Sequence, residues 1–417
     1  MRRMEKTMVC LVFIGVLLIG QVAAAKTLTI AGWFPAPEKY IEMFEEQTGI
    51  DVEYIYVPDS RAYLERVVLW GIGDTLPDVL FVPYWGVNSL ASHGLLRPID
   101  DLLAADEAYL FDFLPQGLEA FRRDGGLYGL PFELNPDVVI FDPRPFEERA
   151  VLTPSQQVKN GTWTPQSLVD SARKLTELTP DESTYISIGM VTWSDQLNRL
   201  APYVWMFGGE LVSETGEEFL IGTIETKEAL EEIARYFQEK IFLSVAYRTA
   251  YNLDHWEILV GNRTGMRGCD IPLLGDIASQ NPQLAAVVGV VPYPMGINGE
   301  PTTGLTIHGV GITPTSQQVE EAWSFIRMIL DVPSDGASIP VRQSLFGDWI
   351  QRVDTAFPGI DALSLMQQLN AGMRLGPRIL SQDMEYVVRT YLHRAMIGRI
   401  SVVQAIENAL AQLSALQ

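Results

Sequence analysis

Cysteine is nearly absent, with two in 417 residues. Cys10 lies inside the first apolar run and Cys269 far downstream. Cleavage beyond that run would leave Cys269 alone, and one thiol cannot close a disulfide within a chain, so the fold must rest on buried apolar surface, and a chain of this length can bury enough. Histidine is as scarce. His93, His255, His308 and His393 are scattered without metal-ligand spacing, so no metal or other cofactor is expected. Positive charge is short as well, with 30 Lys and Arg against 52 Asp and Glu and a formal charge of −22. Such a surface repels phosphate backbones and argues against nucleic acid as a partner. No nucleophile elbow, phosphate-binding loop or zinc-protease helix motif occurs. Gly71-Ile72-Gly73 is too short for a dinucleotide fingerprint. Neighbouring carboxylates such as Asp100-Asp101 are what 52 acidic residues produce by chance. An enzyme is therefore not expected. Beyond Gly20 no apolar run approaches the roughly 20 residues a membrane helix needs.

What is present begins with Met1-Arg2-Arg3-Met4-Glu5-Lys6, an apolar run over 8–20, and Val22-Ala23-Ala24-Ala25. Basic, apolar and small-residue segments in that order describe a secretory signal peptide. The expectation is a signal peptide over 1–25, cleaved after Ala25, with an uncleaved anchor as the alternative. Cys10 sits within the run rather than after it, so no lipid attachment is expected. Arg2-Arg3 lacks the rest of a twin-arginine signal. Loss of Arg2, Arg3, Lys6 and Glu5 removes a net +2 and leaves the mature chain near −24. These features place the protein in the periplasm or outside the cell. Apolar residues make up 47% of the chain and the charges are dispersed, which excludes a disordered acidic tail. Length suggests two or more domains.

The first hundred residues alternate strand and helix. Residues 28–31 read as a strand, 38–47 as a helix stopped by Gly49, and 50–54 as an alternating strand. A second helix follows over 61–70, then a buried strand over 77–82. This order means a parallel sheet with helices on its faces. Ligands of such sheets sit beyond the carboxyl ends of the strands, where Trp33, Phe34, Tyr84 and Trp85 fall. The turn formers of 125–131 mark a boundary before a strand at 138–141. Thr164 caps a helix over 165–175 with Pro165 at its first position. Further helices are read over 225–237, 318–330 and 404–416, and a strand over 284–291.

Several motifs in order resemble the family 1 extracellular solute-binding proteins of bacterial ABC importers, the group that includes maltose-binding proteins. They are Phe44-Glu45-Glu46-Gln47-Thr48-Gly49-Ile50-Asp51-Val52, Leu76-Pro77-Asp78-Val79 and Gly94-Leu95-Leu96-Arg97-Pro98-Ile99-Asp100-Asp101-Leu102. Leu127-Tyr128-Gly129-Leu130-Pro131, Thr162-Trp163-Thr164-Pro165-Gln166-Ser167-Leu168, Phe207-Gly208-Gly209-Glu210-Leu211 and Glu321-Ala322-Trp323-Ser324-Phe325-Ile326 continue the series. The resemblance implies an α/β, two-lobed periplasmic-binding-protein-like clamp. Each lobe would be a mainly parallel sheet flanked by helices, joined by crossing hinge strands. Lobe one would hold 26–131 and 271–309, and lobe two 132–270 and 310–417. A carbohydrate, expected to be an oligosaccharide, would lie between the lobes, be captured by hinge closure, and pass to the permease subunits of an ABC transporter in the membrane. A monomer is expected. The alternatives are the same fold binding a polyamine or another small non-sugar solute, and a ligand sensor without a transport role.

A pyranose offers apolar C–H faces and a rim of hydroxyls, which suit aromatic platforms with amides and carboxylates. Trp33, Phe34, Tyr84 and Trp85 qualify at strand ends, with simple packing as the alternative. Trp193 and Trp205 flank a second-lobe helix. Trp256 and Trp349 are weaker candidates, and Trp70, Trp163 and Trp323 read as core. Glu133 and Asn135 follow the first crossing, where hinge hydrogen bonds are the competing role. Asp270 occupies the second crossing. The family resemblance also points to Arg342 near the cleft, with a surface or inter-lobe ion pair as its other reading. Asp78 reads as structural.

Overall fold

A computed structural model describes residues 26–416 except 105, 214–215, 217, 256, 334–335 and 378–381. The expected signal peptide, 1–25, and Trp256 lie outside the described residues.

The chain opens with β1 (Thr27–Gly32) and α1 (Glu38–Thr48), which buries Tyr40 and Phe44. Gly49 ends α1 in the left-handed region at φ 69°, and its N–H donates to the Glu45 carbonyl. This is the conformation glycine adopts without steric cost. β2 (Asp51–Tyr56) runs parallel to β1. α2 (Ser60–Ile72) starts at Asp59, whose carboxylate accepts from the Arg61 and Ala62 amides. β3 (Val79–Pro83) is buried throughout and pairs parallel with β1.

β4 (Leu130–Phe141) starts eight residues earlier than the expected strand at 138–141. Its prolines suggested a boundary, because proline cannot donate to a ladder. Both sit where regular pairing breaks. Pro131 faces Gly309 beside a register shift, and Pro136 lies where the strand changes partners.

The chain continues through α3 (Pro165–Leu175), β5 (Tyr185–Thr192), α4 (Leu197–Met206), α5 (Ile224–Gln238) and β6 (Phe242–Ser244). The Thr164 cap of α3 forms as expected, its hydroxyl accepting from the Ser167 amide. Then come β7 (Thr264–Asp270), β8 (Gly289–Pro292) and β9 (Thr303–Ile312). The strand expected at 284–291 is shorter, because Asn281 accepts from the Leu284 amide and winds Pro282–Ala285 into a helical turn. α6 (Val319–Asp331), α7 (Phe346–Ala356), α8 (Ala362–Gly372), β10 (Met373–Leu375), α9 (Gln382–Met396) and α10 (Val402–Leu416) complete the described chain. Among the described residues no helix is long and apolar enough to cross a membrane.

One curled sheet carries the strand order β2-β1-β3-β9-β4-β7-β5-β6. β4 is the bridge. Its first half pairs with β9, from Leu130 opposite Val310 to Pro136 opposite Leu305. Its second half, 137–141, pairs with β7, and 138–141 also pair with β8. Two large cores form on either side of this crossing, giving a two-lobed α/β fold. Phe44, Phe81, Leu134 and Trp349 belong to the first core, and Tyr203, Trp205, Ile233 and Val388 to the second. The expected division placed all of 310–417 in lobe two. Instead α6, α7 and α8 pack into the first core, with Phe325 edge-on to Phe44 at 5.4 Å. Only α9 and α10 join the second. The apolar stripe of α6 matches the face of α1 it covers, a choice of partner that one helix's periodicity cannot reveal.

Candidate functional site

A cavity of about 430 Å³ lies between the two lobes. From the first lobe come Asp59, Ser60 and Arg61 at the start of α2, and Tyr84 and Trp85 just after β3. From the second come Gln196, Asn198, Glu385 and Arg389. Thr306 on β9 and Pro377 complete the wall. Tyr84 and Trp85 were expected at this strand end and do line the cavity. They stand there because β3 is buried along its length and the chain turns into one 3-10 turn, Tyr84–Gly86, as it leaves the sheet. Gly376 passes so close that a β-carbon on it would lie 2.5 Å from the Tyr84 hydroxyl oxygen. One ion pair spans the cavity, from Arg61 Nη2 to Glu385 Oε1 at 2.8 Å.

Glu133 and Asn135 lie on β4 opposite His308 and Thr306 of β9. Residues directly opposite in an antiparallel pair share a face, so all four point the same way, with Thr306 at the cavity. Glu133 Oε1 is 2.7 Å from His308 Nδ1 and accepts from Asn135 Nδ2 at 3.1 Å. Burial pushes the Glu133 carboxyl up, but hydrogen bonds from His308, Asn135 and Ser338 outweigh it and hold it below the ordinary value. Asn135 Oδ1 is buried without a hydrogen-bond partner in the protein. Trp33 packs edge-on to His308 at 5.0 Å. Phe34 turns away and packs on Phe81. Neither lines the cavity.

Asp270 faces Asp137 across the β7–β4 pair, where both strands pass between the lobes. Arg199 on α4 reaches both carboxylates, donating to Asp137 and to Asp270 Oδ2 at 2.8 Å. Burial raises the Asp270 carboxyl, yet the Arg199 charge and hydrogen bond bring it below its ordinary value. Trp193 has two guanidinium groups over its ring, Arg267 at 5.0 Å and Arg199 at 5.5 Å.

The structure does not bring the remaining candidates to the cavity. Trp205 is 2% exposed, donates Nε1–H to Glu210 and carries Arg374 over its ring at 4.2 Å. Trp349 is fully buried and donates to the Ala337 carbonyl. Arg342 sits on the first lobe with Asp112 at 2.7 Å and with Asp331, the surface ion pair its other reading described. Asp78 is structural, tying the Thr29 amide and hydroxyl and the Ser316 hydroxyl to the sheet.

Sequence reasoning missed Asp59, Arg61, Gln196, Asn198, Thr306, Glu385 and Arg389. Gln196 and Asn198 stand beside the flagged Trp193, and Asp59 and Arg61 follow the carboxyl end of β2. Those placements were a usable signal. Glu385 and Arg389 had none, because α9 returns to the cavity from the far end of the chain.

The chain matches the family model described as bacterial extracellular solute-binding protein over residues 29–332. It is similar in structure to an ABC substrate-binding protein of Listeria monocytogenes in complex with cycloalternan, at 18% identity and a TM-score of 0.77, covering 94% of this chain and 99% of that one. The GacH receptor of Streptomyces glaucescens, solved unliganded and with acarbose, aligns at 18% identity and a TM-score of 0.74, covering 94% and 98%. Maltose-bound MalE3 of T. maritima aligns at 21% identity and a TM-score of 0.72, covering 94% and 100%. No curated protein sequence matches the chain.

Proposed function

The chain belongs to the bacterial extracellular solute-binding proteins, and from that premise we propose that it captures an oligosaccharide between its lobes and delivers it to the permease of an ABC importer. The observation that carries the reading is the composition of the inter-lobe cavity. Tyr84 and Trp85 form an aromatic wall, faced by the amides of Gln196 and Asn198 and the hydroxyls of Ser60 and Thr306. A sugar ring stacks its C–H face on the first and satisfies its hydroxyls with the second. A volume of about 430 Å³ falls within the usual range for small-molecule sites. The solved relatives named above hold cycloalternan, acarbose and maltose.

In this reading the protein works outside the cytoplasmic membrane as a monomer and performs no catalysis. Tyr84, Trp85, Gln196 and Asn198 contact the sugar. Trp33, Glu133 and His308 brace the crossing strands, and Arg199 locks Asp137 to Asp270 at the hinge. Two arginines, Arg61 and Arg389, balance the carboxylates of Asp59 and Glu385 in the wall, so it carries no net negative charge to favour a polyamine.

The test is a thermal-shift and calorimetric screen of the mature chain against oligosaccharides and polyamines. Ligand at about 100 times its dissociation constant stabilises the native state by about 2.7 kcal/mol. A sugar that raises the melting temperature and binds with one-to-one stoichiometry supports the reading. A response to spermidine alone removes it.

A further inference from the structure

A second cavity, of about 390 Å³, opens on the second lobe beside the first, and Arg389 lines both. Its wall gathers Arg389, Arg394, Arg399 and His393 with the rings of Tyr247 and Tyr386. Among the described residues of its wall Asp195 is the only carboxylate. That is an unusual composition on a chain with 52 acidic and 30 basic residues. Many other arginines are neutralised, as in Arg97–Asp101, Arg235–Glu232 and Arg374–Glu210. Among the described residues Arg389, Arg394 and Arg399 have no carboxylate partner within 4.0 Å.

The end of α9 accounts for part of this cluster. A helix C-terminus favours cations, and Arg394 lies in its last turn beside His393, whose imidazole is held by burial below its ordinary pKa. Arg389 lies nearly two turns upstream, beyond the reach of that effect. It makes one long contact, from Nη1 to the Asp195 carbonyl at 3.5 Å, and lies 5.0 Å from the Tyr386 ring. Its Nε is buried without a partner. A buried guanidinium N–H left open at the junction of two cavities is a donor awaiting an acceptor. The planar guanidinium fork matches a carboxylate or sulfate in two parallel hydrogen bonds. The acidic remainder of the surface repels an anion everywhere else, and salt screens that repulsion beyond about 8 Å. The local field of the groove therefore decides the outcome at contact.

We infer that this groove is the anion subsite of the sugar cleft, so that the transported class is an acidic oligosaccharide bearing carboxylate or sulfate groups. The inference rests on the proposed function. A sugar ring lies against Tyr84 and Trp85 in the first cavity. Its neighbour places its anionic group on Arg389, and a longer chain continues along Tyr386 toward Arg394 and Arg399.

The experiment is calorimetry on the mature chain with a panel of uronate oligosaccharides, each beside its carboxyl-reduced neutral counterpart. A sulfated oligosaccharide and inorganic phosphate complete the set. The expected result is one acidic saccharide binding about 100-fold tighter than its neutral counterpart, with affinity falling as salt rises. Uronate and sulfate arms tell which anion is read. Arg389→Gln should weaken the acidic ligand about tenfold more than its neutral counterpart. The exposed pair Arg394→Gln and Arg399→Gln gives the same direction for longer chains, should the first variant fail to fold. Equal or tighter binding of neutral sugars overturns this inference and leaves the proposed function standing. So does an Arg389→Gln loss shared equally by both ligands, or stabilisation by phosphate alone beside ordinary sugar binding. Failure of every saccharide overturns both.

Discussion

Arg61 and Glu385 meet at 2.8 Å across the inter-lobe cavity, one from the first turn of α2 and the other from the first turn of α9. They are 324 residues apart in sequence and come from different lobes. The contact therefore exists only while the lobes are close. Both side chains remain partly exposed, at 35% and 20%, so the pair stabilises the closed form by only about 0.5–1 kcal/mol. Glu385→Gln should shift the open–closed equilibrium by that amount and weaken ligand about two- to fivefold, mainly through faster dissociation. Stopped-flow dissociation rates check this. An unchanged off-rate, with scattering curves that match the wild type with and without ligand, would refute a latch.

Trp85 and Trp205 should respond in opposite ways. Trp85 is half-buried at the cavity wall, whereas Trp205 is 2% exposed and hydrogen-bonded to Glu210. Trp205→Ala removes a packed indole and should cost about 3–5 kcal/mol of stability in a urea titration. Trp85→Ala removes an indole only partly packed on the first core and should cost less, about 1–2 kcal/mol in the same titration. It should also lower ligand affinity at least tenfold, or about 1.4 kcal/mol. A loss of affinity in Trp205→Ala but not in Trp85→Ala would mean that Trp205, not Trp85, supplies the platform.

At the hinge, Arg199 neutralises two carboxylates at once. Asp137 has 5% of its side chain exposed and Asp270 34%. Breaking a buried pair leaves an uncompensated charge and costs about 3–5 kcal/mol, less where water reaches the orphan. Arg199→Met should therefore destabilise by about 3 kcal/mol, most of it from Asp137. Adding Asp137→Asn to Arg199→Met should recover more stability than adding Asp270→Asn. Chemical denaturation of the four proteins decides the order, and the reverse order would place the electrostatic weight on β7 rather than β4.

The fold was legible wherever periodicity and turn chemistry agreed. The β1–α1–β2–α2–β3 series, the Gly49 stop and the Thr164 cap are local decisions made by neighbouring residues. β4 was read short because Pro131 and Pro136 look like breakers until the partner strands are known. The same limit applies to the cavity. Tyr84 and Trp85 could be placed from the end of one buried strand. Glu385 and Arg389 could not, since nothing in the composition of α9 tells which lobe it faces. Arg342 shows the converse case: a residue carried over from a family pattern, with an ordinary ion-pair partner in Asp112.

Glu133 gives a prediction whose sign can be worked through. Its carboxyl is held below the ordinary value of 4.5, because the hydrogen bonds from His308, Asn135 and Ser338 outweigh the cost of burial. A carboxyl lowered in the folded state binds fewer protons there than when unfolded. Its contribution is complete above pH 4.5 and is lost as pH falls through the lower folded value. Glu133→Gln lacks that charge at every pH. The melting-temperature gap between wild type and Glu133→Gln should therefore hold its full width above about pH 5.5 and narrow steadily below pH 4.5. Asp270 and Asp112 are lowered as well, so both proteins lose stability in acid, but that loss is common to them and cancels in the difference. A gap that stays constant down to about pH 3 would mean Glu133 titrates alike in both states. The row from Trp33 through His308 to Asn135 would then be held by packing rather than by charge.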